Sequence, residues 1–286
     1  MSFEIYETKS AIIKETGEII HLPYRNVKPL HNGLILAEDV NGLYGLLNGN
    51  LQETVSPQYL DIDCLQSNGL IRIQAKNKLW GFINEAGQEI VPPQYLDIDC
   101  LQPNGLIKVQ AQNELWGFLN ENCEEIVPPQ YLKIGRFRSE GLAKVQAKNE
   151  LWGILNENCE EIVSPQYLEI DRFQSNGLAI VQAKNGLWGI INKKGQEIVP
   201  PKYQGIGEFK SNGLAKIQYS YRLNGLINEN GEEVIKPKYE QISFQDIKPN
   251  EVVVINNTNG TYSIIIGEEL EEDKHSKTRG SKIEHT

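Results

Sequence analysis

Leu79-Trp80-Gly81-Phe82-Ile83-Asn84-Glu85-Ala86-Gly87-Gln88-Glu89-Ile90-Val91-Pro92-Pro93-Gln94-Tyr95 decides the fold, because close copies of it return along the whole chain. Trp-Gly recurs at Trp80, Trp116, Trp152 and Trp188, each 36 residues after the last. A Pro-x-Tyr step keeps the same interval at Tyr59, Tyr95, Tyr131, Tyr167, Tyr203 and Tyr239. A fixed period of this size marks a repeat protein, whose small units cannot bury their apolar faces alone.

Outward from this centre the pattern wears. Tyr44-Gly45 and Asn224-Gly225 stand where the inner units carry Trp-Gly. A terminal unit has one neighbour only, so its outer face drifts from consensus. The reading gives a degenerate N-terminal capping repeat over 1–32 and six full repeats over 33–250. A degenerate C-terminal repeat over 251–267 and a disordered polar tail over 268–286 follow. Gly105–Glu140 and Gly141–Asn176 match at 28 of 36 positions. Recent duplication produces such identity, so regular surface rows are not by themselves marks of function.

Within a unit, Leu142 to Ala147 alternates, with Ala143 and Val145 on one side and Lys144 and Gln146 on the other. That is the period of a half-buried strand. Leu151 to Asn156 predicts a second strand and Glu161 to Val163 a third, with Pro165 interrupting it. Between the second and third lies a turn that carries Gly87, Gly195 or Gly231 but Cys123 or Cys159 in two units. Glycine there predicts a positive φ, so the cysteines are expected to be mildly strained. No window shows helical spacing. The expected fold is all-β: tandem antiparallel repeats of three strands, or four, stacked as an open twisted, solenoid-like array. The alternative is a closed propeller of six to eight blades. The Trp rings are expected to be the buried wedges between units.

The Trp-Gly step, the Asn-x-x-Gly turn and the Ile-Val-Pro-Pro-Gln-Tyr run together resemble the WG repeat family. The resemblance covers roughly 33–239. It departs from the family pattern at Leu79, Leu115, Leu151 and Leu187, where the family places lysine before Trp. It implies a bacterial-type β-repeat and brings no catalytic residues or cofactor with it.

Candidate chemistry is sparse. A formal net charge of −10 opposes binding to a phosphate backbone or an anionic membrane surface. No apolar stretch approaches the roughly 20 residues that span a bilayer. The start lacks a basic region followed by an apolar one, so the cytoplasm is the expected compartment. The histidines, His21, His31, His275 and His285, lie outside the six repeats and form no catalytic cluster. Cys64/Cys100 and Cys123/Cys159 are each one period apart without zinc spacing, and are expected to be reduced thiols. Asp61/Asp63 and Asp97/Asp99 are expected to be a solvated face rather than a calcium site.

The polar rows remain. Arg72, Gln74, Lys108, Gln110, Lys144, Gln146, Gln182, Lys216 and Gln218 would align on stacked units into a candidate binding stripe, or the glutamines would bond to neighbouring backbone. Glu89, Glu125, Glu161, Glu197 and Glu233 would balance that basic stripe across strands. Asn48 through Asn228 are expected to build turns, and the Tyr row to be core. The expected function is a non-enzymatic scaffold for protein–protein interaction through an exposed repeat face. The alternative is a carbohydrate or small-anion binding module using the Gln/Lys stripe. No catalytic residues, metal or cofactor are expected, the partner is a protein, and neither nucleic acid nor membrane is.

Overall fold

The computed structural model describes residues 11–13, 19–30, 33–63, 68–243, 252–256 and 262–266. Every regular element among them is a β-strand. The chain divides into two compact units, Met1–Ile134 and Gly135–Thr286. The predicted tail over 268–286 lies outside the described residues.

The first unit opens with a hairpin, Ala11–Ile13 on Ile19–His21. Three four-stranded antiparallel sheets follow, each with its strands in sequence order. They are built from Asn26–Pro29, Ile35–Glu38, Tyr44–Leu47 and Glu53–Tyr59; from Asp61–Asp63, Ile71–Gln74, Trp80–Ile83 and Glu89–Tyr95; and from Asp97–Ile98, Leu106–Gln110, Trp116–Asn120 and Glu125–Tyr131. In the second unit Ala143–Gln146, Trp152–Leu155 and Glu161–Tyr167 pair consecutively. Two full sheets then begin at Glu169–Ile170 and Gly205–Ile206, and Gln241–Ser243, Val252–Asn256 and Tyr262–Ile266 form a three-stranded sheet. No sheet closes on itself into a barrel.

The expected all-β repeat is therefore present, with four strands per complete sheet rather than three. The extra strand comes from the segment after the Tyr. Asp97–Ile98 pairs with Val109 and Gln110 of the following repeat, so each sequence unit contributes its end to the next sheet. Period alone cannot show where a sheet begins.

Alternation sets the burial. Along Ala143–Gln146 the inward Ala143 and Val145 are buried, and Lys144 and Gln146 are half-buried. Each core joins successive repeats: Tyr167, Ile154, Val163 and Ile170 pack with Ala179, Val181 and Ile191. Tyr203 is fully buried among Leu178, Ile190, Val199, Ala215, Ile217 and Ile227. Burying apolar surface this way supplies what a lone sheet of this size lacks.

The indoles do not form that core. Trp80, Trp116, Trp152 and Trp188 are only half-buried, and Trp80 and Trp152 pack on the outside of their clusters. The expectation of buried Trp wedges is corrected: the tyrosines and branched aliphatics hold the interior. At Trp80, Trp116 and Trp152 a cation covers one indole face, as described below.

The glycine after each Trp has a steric cause. A Cβ on Gly117 would lie well inside contact distance of the Val127 carbonyl oxygen and 2.8 Å from Pro129 N. The facing strand bulges at that point, between the pairs Trp116–Tyr131 and Phe118–Val127. The proline-bearing bulge and the glycine are two halves of one feature.

Candidate functional site

The polar rows are held by the hairpins that carry them. Asn156 Oδ1 accepts from the backbone N–H of Asn158 at 3.0 Å and of Glu160 at 2.9 Å, and its amide donates to Glu160 Oε2 at 2.7 Å. The same arrangement repeats at Asn48, Asn84, Asn120, Asn192 and Asn228. These asparagines build turns. The turn demands a positive φ, and Cys123 and Cys159 adopt it at 64° and 62°, as the strain expectation requires. Burial pushes both thiols up to about 11. Both are free, whereas Cys100 is disulfide-bonded. The reduced-thiol expectation fails at Cys100, and Cys64 lies outside the described residues.

The structure draws most of the candidate stripe inward. Gln74, Gln110, Gln146 and Gln182 each donate their amide to the carbonyl four residues on, at 2.8–3.0 Å, tying down the tip of their own hairpin. Arg72 lies 4.5 Å from the Trp80 ring centroid, Lys108 3.8 Å from Trp116, and Lys144 5.4 Å from Trp152. Cations over an indole face are attracted by the ring quadrupole. Arg72 also donates to the Ile98 carbonyl at 2.5 Å and grips Asp63 with two nitrogens at 2.6 and 2.7 Å. Lys144 donates to the Ile170 carbonyl at 2.7 Å. Burial, the largest influence, holds the Lys144 ammonium below its ordinary pKa. These basic heads join one sheet to the first strand of the next instead of standing free as a row of donors. Asp63, expected to be solvated, is half of an ion pair.

Lys216 and Gln218 are the exceptions. Among the described residues the Lys216 side chain makes no bond to a neighbouring strand and covers no indole, and the Gln218 amide makes no turn bond. They line an open cleft of about 640 Å³ with Gly205, Gly207, Arg222 and Asn224.

The acidic row has partners that the sequence reading did not assign. Tyr167 OH donates to Glu197 Oε1 at 2.8 Å and Tyr203 OH to Glu233 Oε1 at 2.6 Å. Tyr24 makes the same bond to Glu53 at 2.5 Å. Glu197 and Glu233 of the row, and Glu53 before it, therefore latch to buried tyrosines of the preceding repeat. The signal was available in two rows keeping one interval, thirty residues apart.

One further row was missed. Leu60, Leu96 and Leu132, each directly after its Tyr, are 36%, 40% and 37% exposed. Ile90 and Ile126, on the fourth strands that lead into Leu96 and Leu132, are also exposed. Leu168 repeats the feature in the second unit. Large apolar side chains held in water at a fixed interval constitute the clearest candidate interface.

The family model described as WG containing repeat matches residues 80–116, 116–152, 152–188, 188–220 and 225–246. A search among curated proteins returned no match. Among solved structures, BamB from Moraxella catarrhalis aligns at 8% identity over 86% of this chain and 84% of its own, with a TM-score of 0.30. BBS1N, solved in complex with ARL6DN, aligns at 12% identity over 85% and 91%, TM-score 0.26. The computationally designed Ika4 protein aligns at 13% over 46% and 88%, TM-score 0.27.

Proposed function

From the premise that the chain belongs to the WG repeat family, we propose that it is a non-enzymatic scaffold that binds a protein partner through the fourth strands of its sheets and the leucines that follow them. The observation that carries this reading is the exposed Leu60, Leu96 and Leu132 row with Ile90 and Ile126. A fourth strand sits at the edge of its sheet, where unpaired backbone groups invite another chain. Pro92, Pro93, Pro128 and Pro129 remove donors from those edges, which suppresses indiscriminate strand addition. What the edge offers instead is side-chain contact. The Gln/Lys stripe gives less support to a glycan or anion site, because most of its donors already serve hairpin tips and sheet junctions.

The test is capture of a partner from the native host by proximity labelling, followed by its loss. Leu96→Lys with Leu132→Lys is expected to abolish capture while far-UV circular dichroism stays unchanged. Capture that survives this pair, and is lost instead on reversing Arg72 and Lys144, would contradict the reading.

A further inference from the structure

The sixth repeat departs from the tryptophan-bearing repeats on one patch of sheet. Asn224 stands where Trp188 stands one repeat earlier, and pairs with Gln218 as Trp188 pairs with Gln182. At the first strand Gly205 and Gly207 stand where the second repeat carries Asp61 and Asp63, the latter paired with Arg72 at 2.6 Å. The hairpin tip reads Tyr219-Ser220-Tyr221-Arg222 in place of Ala183-Lys184-Asn185-Gly186. With that change the Gln amide loses its turn bond.

Lys216 remains at the register that Lys144 occupies in the fourth repeat. Lys144 has an indole beneath it and donates to the Ile170 carbonyl of the following sheet at 2.7 Å. Among the described residues, Lys216 has neither an indole beneath it nor a carbonyl bonded to its ammonium. The cleft that results is floored by Gly205 and Gly207, whose missing side chains expose flat peptide backbone. A Cβ on either glycine would meet only Gln218 or Lys216, at 3.6 Å or beyond. Asn224 forms one wall, fixed by donating its amide to the Glu240 carbonyl at 2.8 Å and the Tyr239 carbonyl at 3.3 Å. Tyr219 and Tyr221, 56% and 78% exposed, project from the tip. Arg222 pairs with Glu240 at 3.1 Å across the cleft mouth.

We propose that this cleft receives an aromatic side chain flanked by a carboxylate, presented by a partner polypeptide, in place of the indole and acids that repeat six lacks. The ring lies on the glycine floor under Lys216, as the chain's own indoles lie under Arg72, Lys108 and Lys144. The carboxylate takes the place over Gly207 that Asp63 holds against Arg72. The proposal takes from the scaffold reading only that the partner is a polypeptide, and it uses a different surface from the leucine row.

N-acetyltryptophan is the probe, with N-acetylleucine as the control, each titrated to millimolar concentration into the full chain while backbone amide resonances are followed. N-acetyltryptophan is expected to move the amides of Lys216, Gln218 and Gly205, and N-acetylleucine to leave them in place. Asn224→Trp, which fills the cleft with the chain's own indole, is expected to remove the response. Lys216→Gln, which leaves the core untouched, is expected to weaken binding about three-fold, the factor a half-exposed cation–ring contact contributes. Absence of shifts with N-acetyltryptophan, equal shifts with N-acetylleucine, or an unchanged response in Lys216→Gln overturns the proposal. Partner capture lost in Leu96→Lys/Leu132→Lys but kept in Asn224→Trp would remove the cleft's role and leave the scaffold reading standing.

Discussion

The Tyr203 hydroxyl, on a side chain with no exposed surface, donates to Glu233 Oε1 at 2.6 Å from the fourth strand of one sheet to that of the next. Tyr167 and Glu197 repeat this one period earlier. Removing only the oxygen, Tyr203→Phe, is expected to cost about 1–2 kcal/mol in urea denaturation, the range for a hydrogen bond to a charged acceptor less the solvation Glu233 recovers. In a double-mutant cycle with Glu233→Gln the two losses should not add. Additive losses would show that the two groups do not act together.

The latch also sets a pH dependence. The bond from Tyr203 holds the Glu233 carboxyl below its ordinary 4.5, and the bond from Tyr24 does the same to Glu53. A carboxylate depressed on folding contributes stability above its unfolded pKa and loses it as pH falls through the folded one. At the other end, burial first and the acid second raise Tyr203 and Tyr167 above their ordinary 10.0, and Tyr24 to about 12. A raised group stabilises fully below its unfolded value and stops doing so as pH rises through the folded one. Thermal melts are therefore expected to fall on the acid side below pH 4.5 and on the alkaline side above pH 10. Tyr203→Phe should blunt both.

Much of this was legible beforehand, and the failures share a cause. The 36-residue interval, the Asn turns, the positive φ at Cys123 and Cys159 and the buried tyrosines follow from local pattern. The fourth strand did not, because Asp97–Ile98 joins a sheet whose other strands lie in the next sequence unit. The Tyr–Glu latch spans thirty residues and shows only as two rows in step. The tryptophans misled because a large ring reads as core, whereas Arg72, Lys108 and Lys144 each cover an indole that the sheet leaves half-open. The candidate stripe was read from residue type alone, and type does not reveal that Gln146 is spent on the carbonyl of Glu150.

Gly117→Ala is expected to be among the most damaging single-methyl changes in the chain. The new Cβ meets backbone of Val127 and Pro129, which cannot turn aside as a side chain could. The expected loss is about 2–3 kcal/mol, the upper part of the range for overpacking. A loss below the scatter of calorimetry would mean that the bulge opposite Trp116 yields easily.

Cys123 and Cys159 should be slow to react. With thiols at about 11, little thiolate exists at pH 8, and both side chains are half-buried. Alkylation of the native protein is expected to lag that of the urea-unfolded chain at least ten-fold at both positions. Equal rates would place these thiols in water.

The central claim is that buried tyrosines, more than the half-buried indoles, hold successive repeats together. Tyr203→Ala against Trp188→Ala, two residues facing each other across one strand pair, compares them within a single sheet. Urea denaturation is expected to show about 3–5 kcal/mol lost for Tyr203→Ala and no more than about half of that for Trp188→Ala. A larger loss from Trp188→Ala would contradict the account and return the indoles to the core.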